Sequence, residues 1–221
     1  MVFTDPNEVH LWWGNTRQGI CCTEWLSAEE KSRADGYRIS EARRKVFEVA
    51  RAALRLALSQ YLKIAPAEIP IAIDERGKPF LVGNPLAFSV SHSGEEILIG
   101  ISPLSAVGVD IEKIDPSRAL ERLARRFYHP EENLALGEII SAEKFFRVWT
   151  RKEAYLKLEG GGIDRELREF SVLESAPPGT VLVSLDGPVG YAAALATYGT
   201  RAARMECHYF SSLYPLANGN R

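Results

Sequence analysis

The strongest restriction on the fold comes from a long amphipathic segment between Glu41 and Leu62. Its apolar residues recur at intervals of three and four, the spacing that places side chains on one face of an α-helix. They are Val46, Val49, Ala50, Ala53, Leu54, Ala57, Leu58, Tyr61 and Leu62. Pro66 marks a break soon afterwards. The pattern therefore predicts one long helix that packs this face against a core.

After this helix the spacing changes to that of short strands. β-prone runs cover residues 9–13, 69–73, 86–91, 97–101, 106–111, 181–185, 191–198 and 204–210, with Gly, Pro and Ser turns between them. Further helices are predicted from Ser27, which begins a capping box with Glu30, and over 118–127 and 141–158. Because neighbouring strands lie too close in sequence for helical crossovers, the pattern predicts an α+β fold with antiparallel strands.

Composition excludes several classes of protein. The 221 residues are 46% hydrophobic and 25% charged, which is typical of a globular protein. A net charge of −2 leaves no bulk positive charge for a nucleic-acid backbone. The longest apolar stretch, Ile97 to Val109, is too short to span a bilayer. Three cysteines form no disulfide framework, and the first residues lack the basic and apolar regions of a signal peptide. We therefore expect a cytoplasmic protein that binds neither nucleic acid nor membrane.

Two carboxylates lie together at the end of one predicted strand. Asp110 and Glu112 are two residues apart, so their side chains project from the same face. Adjacent carboxylates repel each other unless a cation lies between them or one is protonated, and oxygen ligands of this kind suit Mg²⁺. The alternative is a solvated strand end paired with Lys113.

A second group lies on the predicted helix near residue 150. Trp149, Lys152, Glu153, Leu156 and Lys157 share one broad face at 3.6 residues per turn. A carboxylate between two lysines is unusual for a face that packs against a core. The alternative is a surface helix supported by Glu153 and Lys157 at the i,i+4 spacing.

A histidine and several basic residues complete the candidates. His92 follows a strand and enters a Ser/Gly turn, where it could bind phosphate or cap the turn. Arg43, Arg44 and Lys45 on the long helix, with Lys78 in a Gly-Lys-Pro turn, suit a polyphosphate ligand or a solvated surface. The other histidines, His10, His129 and His208, are far apart in sequence and indicate no metal cluster.

Taken together, these motifs resemble the signature of the 4′-phosphopantetheinyl transferases. The run Gly108-Val109-Asp110-Ile111-Glu112 is followed further along the chain by Trp149-x-x-Lys152-Glu153-Ala154-x-x-Lys157. Three more motifs resemble the Sfp-like subfamily: Gly77-Lys78-Pro79, Phe88-Ser89-Val90-Ser91-His92-Ser93 and Gly160-x-Gly162. Five motifs in the family's order, over roughly residues 77 to 163, make the resemblance specific.

The resemblance implies a reaction and a role for each candidate. The serine hydroxyl of an apo acyl or peptidyl carrier protein attacks the β-phosphate of coenzyme A, and adenosine 3′,5′-bisphosphate leaves. Asp110, Glu112 and Glu153 hold Mg²⁺, and Glu153 acts as ligand or as base. Lys157 stabilises the leaving phosphate, and Lys152 does the same or orients Glu153. The coenzyme A contacts are Arg44, Lys78, Ser91, His92, Lys152 and Lys157.

The resemblance also implies an architecture. Two similar α+β halves, 1–103 and 104–221, are related by a pseudo-twofold, each a small antiparallel sheet packed with a long helix. Coenzyme A lies between the halves, the protein is a monomer, and Arg125 and Arg126 are candidate carrier contacts. One stretch departs from the family: a lysine pair expected near residues 27–33 is replaced here, leaving Lys31 or Arg33 for the phosphates.

Two other functions remain open from the sequence. A degenerate relative could bind coenzyme A or the carrier without transferring the arm, although Asp110, Glu112, Glu153 and Lys157 are all present. A Mg²⁺-dependent phosphoester hydrolase could use the same carboxylates, and it would act on coenzyme A without a carrier.

Overall fold

The structure is a computed structural model, and it describes residues 1–17, 22–36, 40–83, 86–103, 106–160, 167–173 and 177–213. The strands are β1 (Glu8–Asn15), β2 (Ile71–Ile73), β3 (Pro79–Leu81), β4 (Ala87–Ser93), β5 (Glu96–Ser102), β6 (Val107–Lys113), β7 (Thr180–Leu185), β8 (Tyr191–Tyr198) and β9 (Arg204–Tyr209). The helices are α1 (Ala28–Asp35), α2 (Glu41–Leu62), α3 (Leu120–Phe127), α4 (Pro130–Leu136), α5 (Ala142–Glu159) and α6 (Phe210–Leu213).

The first half is a sheet covered by α2. The strand order is β4-β5-β1-β9, and β2 and β3 form a separate hairpin. The apolar face of α2 packs against alternate residues of the sheet, among them Trp12, Ile97 and Ile99. The predicted helix limits and the capping box of Ser27 with Glu30 are confirmed.

The second half repeats this plan with a three-stranded antiparallel sheet, β6-β8-β7, covered by α5. A third core lies between the two sheets, where Leu11, Trp13 and Leu98 of the first meet Val109 and Leu195 of the second. The molecule is thus built of four layers, helix, sheet, sheet and helix. The prediction of an α+β fold with two halves is confirmed.

The last strand differs from the prediction. β9 lies in the predicted C-terminal half, yet it pairs with β1 at the edge of the first sheet, and the pairing is parallel. Short spacing in sequence favours antiparallel pairing only between strands that follow one another, so it did not predict the parallel pairing of two strands at opposite ends of the chain. The boundary near Pro103 stays a prediction. Among the described residues, no helix is long and apolar enough to cross a membrane.

Candidate active site

A glycine brings β6 and α5 into direct contact. A Cβ atom placed on Gly108 would lie 2.0 Å from the carbonyl oxygen of Ala154 and 2.6 Å from the amide nitrogen of Leu158. Only a residue without a side chain allows the helix backbone to approach the strand so closely. Asp110 and Glu112 follow on the same face of β6, and Glu153 precedes Ala154 on α5. The close approach therefore sets the three carboxylates beside one another.

Asp110 is the most buried of the three carboxylates, with 3% of its surface exposed. Its Oδ1 accepts hydrogen bonds from Ser91 Oγ and from Lys157 Nζ, both at 2.7 Å. Its Oδ2 is buried and has no hydrogen-bond partner among the described residues. A buried carboxylate oxygen without a donor is costly, and a bound cation would offset that cost.

The other two carboxylates are perturbed in the same direction. Burial, with the charge of Asp110 as a smaller cause, raises the pKa of Glu112, and a hydrogen bond from Ser93 Oγ at 2.6 Å opposes this. Burial followed by the charge of Asp110 raises the pKa of Glu153 to about 7, while Lys157 opposes the rise. The site thus carries more negative charge than one lysine neutralises.

The donor set fits a hard divalent cation. All three groups offer oxygen, and Mg²⁺ in proteins commonly takes one or two carboxylates together with substrate phosphates. In this conformation the ammonium of Lys157 lies against Asp110. The donor atoms of the three carboxylates are not grouped within 4.8 Å of one another. Among the described residues, such a group is found on β1 and β9 instead. A cation shared by all three carboxylates therefore requires a side-chain rotation.

Three alternate serines of β4 join the two halves at this site. The hydroxyls of Ser89 and Ser93 accept hydrogen bonds from backbone amides of β6, at 3.1 and 3.0 Å. The hydroxyl of Ser91 lies between them and is directed at Asp110. The first half therefore holds the carboxylates of the second half in place.

A positively charged pocket of about 340 Å³ opens next to the carboxylates. Its described lining is Arg33, Arg51, Arg76, Gly77, Lys78, Pro79, Phe88, Ser89, Val90, Lys157 and Gly160. Lys78 crosses between the halves, because its Nζ donates to the carbonyl of Lys157 at the end of α5, at 2.7 Å. Five cationic side chains and an apolar wall make this pocket suitable for a phosphorylated nucleotide.

Two predicted coenzyme A contacts, His92 and Arg44, are not among the described residues that line this pocket. His92 is exposed, and desolvation followed by the charges of Lys157 and Arg51 lowers its pKa. Arg44 is not among the described residues that line the pocket, since its Nε donates to Glu48 at 2.8 Å and its guanidinium also faces Asp35. The contact predicted for Arg44 stays a prediction, whereas α2 presents Arg51, two turns further on, to the pocket.

The position of the Lys152 ammonium differs from the prediction. Its side chain is fully buried, its Nζ pairs with Glu132 at 2.8 Å, and it donates to the carbonyls of Leu167 and Phe170 at 2.7 and 2.6 Å. All three partners lie in the core of the second half, so the ammonium points away from the pocket. The expectation that Lys152 binds a phosphate or orients Glu153 is not met, because a one-residue step on a helix turns the side chain by about 100°.

Sequence reasoning overlooked part of the pocket. Arg76 adjoins the Gly-Lys-Pro turn and Arg51 lies off the apolar stripe of α2, but neither belongs to a motif. Arg33 was one of two candidates, and it is the one that lines the pocket. The sequence does show arginines on separate predicted elements, but it does not show that they lie around one pocket, because that depends on the tertiary structure.

Comparisons with known proteins point to one family. A family model described as the 4′-phosphopantetheinyl transferase superfamily matches residues 106–198, and one described as 4′-phosphopantetheinyl transferase, N-terminal, matches residues 10–103. The chain is 36% identical over 179 residues to the 4′-phosphopantetheinyl transferase HetI of Nostoc sp., covering 75% of this chain and 74% of that protein.

Two further relatives are matched over shorter shares of their length. A phosphopantetheinyl transferase of Thraustochytrium sp. is 31% identical over 180 residues, which is 73% of this chain and 62% of that protein. The 4′-phosphopantetheinyl transferase Sfp of Bacillus subtilis is 32% identical over 123 residues, which is 54% of each chain.

Proposed function

The chain belongs to the 4′-phosphopantetheinyl transferase superfamily, of the Sfp-like type, and is a coenzyme A-using transferase that acts on carrier proteins; from this premise we propose how its own residues carry out the transfer. A carrier serine oxygen forms a bond to the β-phosphorus of coenzyme A, and the bond to the bridging oxygen breaks. Phosphopantetheine stays on the serine, and adenosine 3′,5′-bisphosphate leaves. The observation that carries the proposal is the cluster of Asp110, Glu112 and Glu153 beside a cationic pocket.

The cationic pocket binds the adenosine end of coenzyme A in this proposal. Arg33, Arg51, Arg76 and Lys78 supply positive charge for its phosphates, and Phe88 and Val90 supply an apolar surface for the base. Guanidinium groups suit this task because they form paired hydrogen bonds to phosphate oxygens. His92, on which the charges of Lys157 and Arg51 act, adds a further phosphate contact in this proposal.

Asp110, Glu112 and Glu153 are the proposed ligands of Mg²⁺. When bound, the ion neutralises charge on the pyrophosphate and is worth several kcal/mol in such reactions. The support is the oxygen donor set, the unpartnered Oδ2 of Asp110, and the raised pKa of both glutamates, which is caused first by burial and then by the charge of Asp110. Ser91 orients Asp110 by its hydrogen bond, so its role in this proposal is to position a ligand rather than to touch the phosphates.

Glu153 accepts the proton of the carrier serine, either directly or through water. Its pKa, raised to about 7, suits a base that must be partly ionised at neutral pH and still hold a proton after the attack. Lys157 is half-buried beside Asp110 and is the cation closest to the cluster, so we assign it to the charge that develops on the leaving phosphate.

The carrier protein docks next to this cleft on the second half. Arg125 and Arg126 of α3 are exposed and positively charged, which suits an acidic surface around the acceptor serine. We propose that the protein acts as a cytoplasmic monomer, since its two halves already form the cleft that the reaction needs.

Intact-mass spectrometry of apo carrier proteins tests the proposal. Fatty-acid and peptide-synthetase carriers are incubated with the protein, coenzyme A and Mg²⁺, and a mass gain of one phosphopantetheine is expected. Asp110→Asn and an EDTA control should abolish the gain. The matched control is Asp186→Asn, because Asp186 is an exposed carboxylate of the same half outside the site, and it should keep full transfer.

Other results would redirect the assignment. Coenzyme A binding without a mass gain on any carrier would contradict the transfer and favour a binding-only relative. Release of phosphate products from coenzyme A in the absence of a carrier would favour a hydrolase. Full transfer by Asp110→Asn in EDTA would refute the assignment of the metal ligands.

A further inference from the structure

A second cluster of ligating side chains lies on β1 and β9, away from the carboxylates of β6. It consists of His10, Glu206 and His208, whose donor atoms lie within 4.8 Å of one another. His10 belongs to the first strand of the chain and the other two belong to the last. The parallel pairing places His10 directly opposite Glu206 and Trp12 opposite His208. The cluster therefore exists only because β9 returns to the first sheet.

His10 has a free coordinating atom that points into this cluster. The side chain is 2% exposed, and its Nδ1 lies 2.7 Å from the hydroxyl of Tyr61. Its Nε2 is buried and has no hydrogen-bond partner among the described residues. The nearest carboxylate oxygens, on Glu8 and Glu206, are each 3.7 Å away, which exceeds hydrogen-bond length.

His208 Nε2 already lies 3.3 Å from Nδ1 of His10, so the atom without a partner is Nε2 of His10, which faces Glu206. A tetrahedral ion with bonds of 2.0–2.2 Å keeps its ligands about 3.3–3.6 Å apart. Glu206 lies 3.7 Å from His10 Nε2 and, through its other oxygen, 3.4 Å from His208 Nε2. An ion between these three groups would satisfy the unpartnered nitrogen.

We propose that His10, Glu206 and His208 bind a divalent transition metal ion of the zinc type. Two imidazoles and one carboxylate favour such an ion over Mg²⁺, which prefers oxygen ligands alone. The hydroxyl of Tyr61 contacts Nδ1 of His10, on the opposite side of the ring from Nε2, and it accepts a hydrogen bond from Trp12 Nε1 at 3.0 Å. Outer partners of this kind hold a ligating imidazole in its orientation. Glu8 is occupied by the amide of Thr4 at 2.7 Å and stays beside the site.

The ion would fasten the last strand of the chain to the first. Most side chains of β9 are exposed, so packing holds this strand weakly, apart from the buried Phe210 that follows it. A metal ligated from both strands adds a cross-link that favours the folded state. The site lies on the face of the sheet that packs against α2, whereas Asp110 faces α5, so the two metal sites are separate.

Cobalt titration of the full-length protein tests this proposal. Protein freed of metal with a chelator is titrated with Co²⁺ in excess Mg²⁺, and one equivalent should give the visible absorption of a four-coordinate histidine site. Asp110→Asn should leave this signal unchanged. His208→Gln and Glu206→Gln should weaken Co²⁺ binding at least about tenfold. Glu95→Gln is the matched control for Glu206, because the side chains are 46% and 48% exposed, and it should bind normally.

A thermal measurement gives an independent readout. Zn²⁺ at 100 times its Kd should raise the Tm of the wild-type protein by about 5–10 °C, and this rise should vanish in Glu206→Gln. The proposal is overturned if the stripped wild-type protein gives no histidine-type cobalt signal. It is also overturned if that signal disappears in Asp110→Asn but persists in Glu206→Gln.

Discussion

Replacement of Lys152 by methionine separates a structural role from a catalytic one. Methionine keeps the length of the side chain but removes the ammonium that pairs with Glu132 and donates to two carbonyls. Both partners of this ion pair are fully buried. The change therefore leaves the Glu132 carboxylate in the core without its counter-charge.

The magnitude follows from that burial. Removing one partner of a buried ion pair typically costs about 3–5 kcal/mol, because the remaining charge is poorly solvated. For a chain of 221 residues, each kcal/mol lowers Tm by about 2–4 °C, so we expect a decrease of about 6–20 °C. Glu132 also accepts hydrogen bonds from the amides of His129 and Val172, both at 2.8 Å, so its side chain cannot leave the core without further loss.

The assay compares stability and transfer in four variants: Lys152→Met, Lys157→Met, Glu132→Gln and the double variant Lys152→Met/Glu132→Gln. Thermal unfolding of Lys152→Met should show the large decrease in Tm, while kcat on a carrier, measured well below Tm, should stay within about threefold of wild type. Lys157→Met should give the opposite result, a severe loss of kcat with a smaller change in Tm, because its ammonium is part of the site and partly exposed. In Lys152→Met/Glu132→Gln, the decreases in Tm should be less than additive, because the unpaired charge is gone.

One result would refute this reasoning. That result is a Tm of Lys152→Met equal to that of the wild type together with a loss of transfer as complete as in Lys157→Met. The ammonium of Lys152 would then act in the reaction, and it would not be paired with Glu132 during turnover.

Three further predictions concern the candidate active site and its surroundings. Gly108→Ala should lower the free energy of unfolding by about 1–3 kcal/mol or more in denaturant titrations, because its Cβ would lie 2.0 Å from a carbonyl of α5; an unchanged midpoint would contradict the close approach. Ser91→Ala should reduce kcat more than coenzyme A affinity, because its hydroxyl positions Asp110. Ser184→Ala is the control, since the Ser184 hydroxyl has no hydrogen-bond partner among the described residues, and it should change neither quantity. The pKa of His92 is lowered in the free protein, and a bound phosphate would raise it, so coenzyme A binding should be accompanied by uptake of a proton. Calorimetry should therefore find tighter coenzyme A binding as pH falls from about 8 to about 6. An equal pH dependence in His92→Gln would exclude this contact.

Local order was predictable because it depends on neighbours in sequence. The limits of α2 follow from an uninterrupted apolar stripe, and the capping box of Ser27 follows from hydrogen bonds that span three residues. The orientation of Asp110 and Glu112 on one face of β6 follows from the two-residue period of a strand. In each case the physical cause acts within one or two turns of the chain.

The register of α5 against its surroundings was not predictable. The helix itself was expected, but Lys152 and Glu153 were placed on one functional face, whereas only Glu153 faces the carboxylates. Both residues are polar, so hydropathy cannot indicate which of them enters the core. The burial of Lys152 depends on Glu132, an acceptor 20 residues away on another helix.

The sequence by itself determined the helices, most of the strands, the α+β class and the motifs that carry the resemblance, because periodicity, capping and turn chemistry act locally. Only the tertiary structure decided which arginines converge on the pocket, where Lys152 points, and that β9 lies beside β1. That last pairing joins His10 and His208, which the sequence left far apart. Contacts between distant segments depend on how whole faces pack together, and no local pattern encodes them.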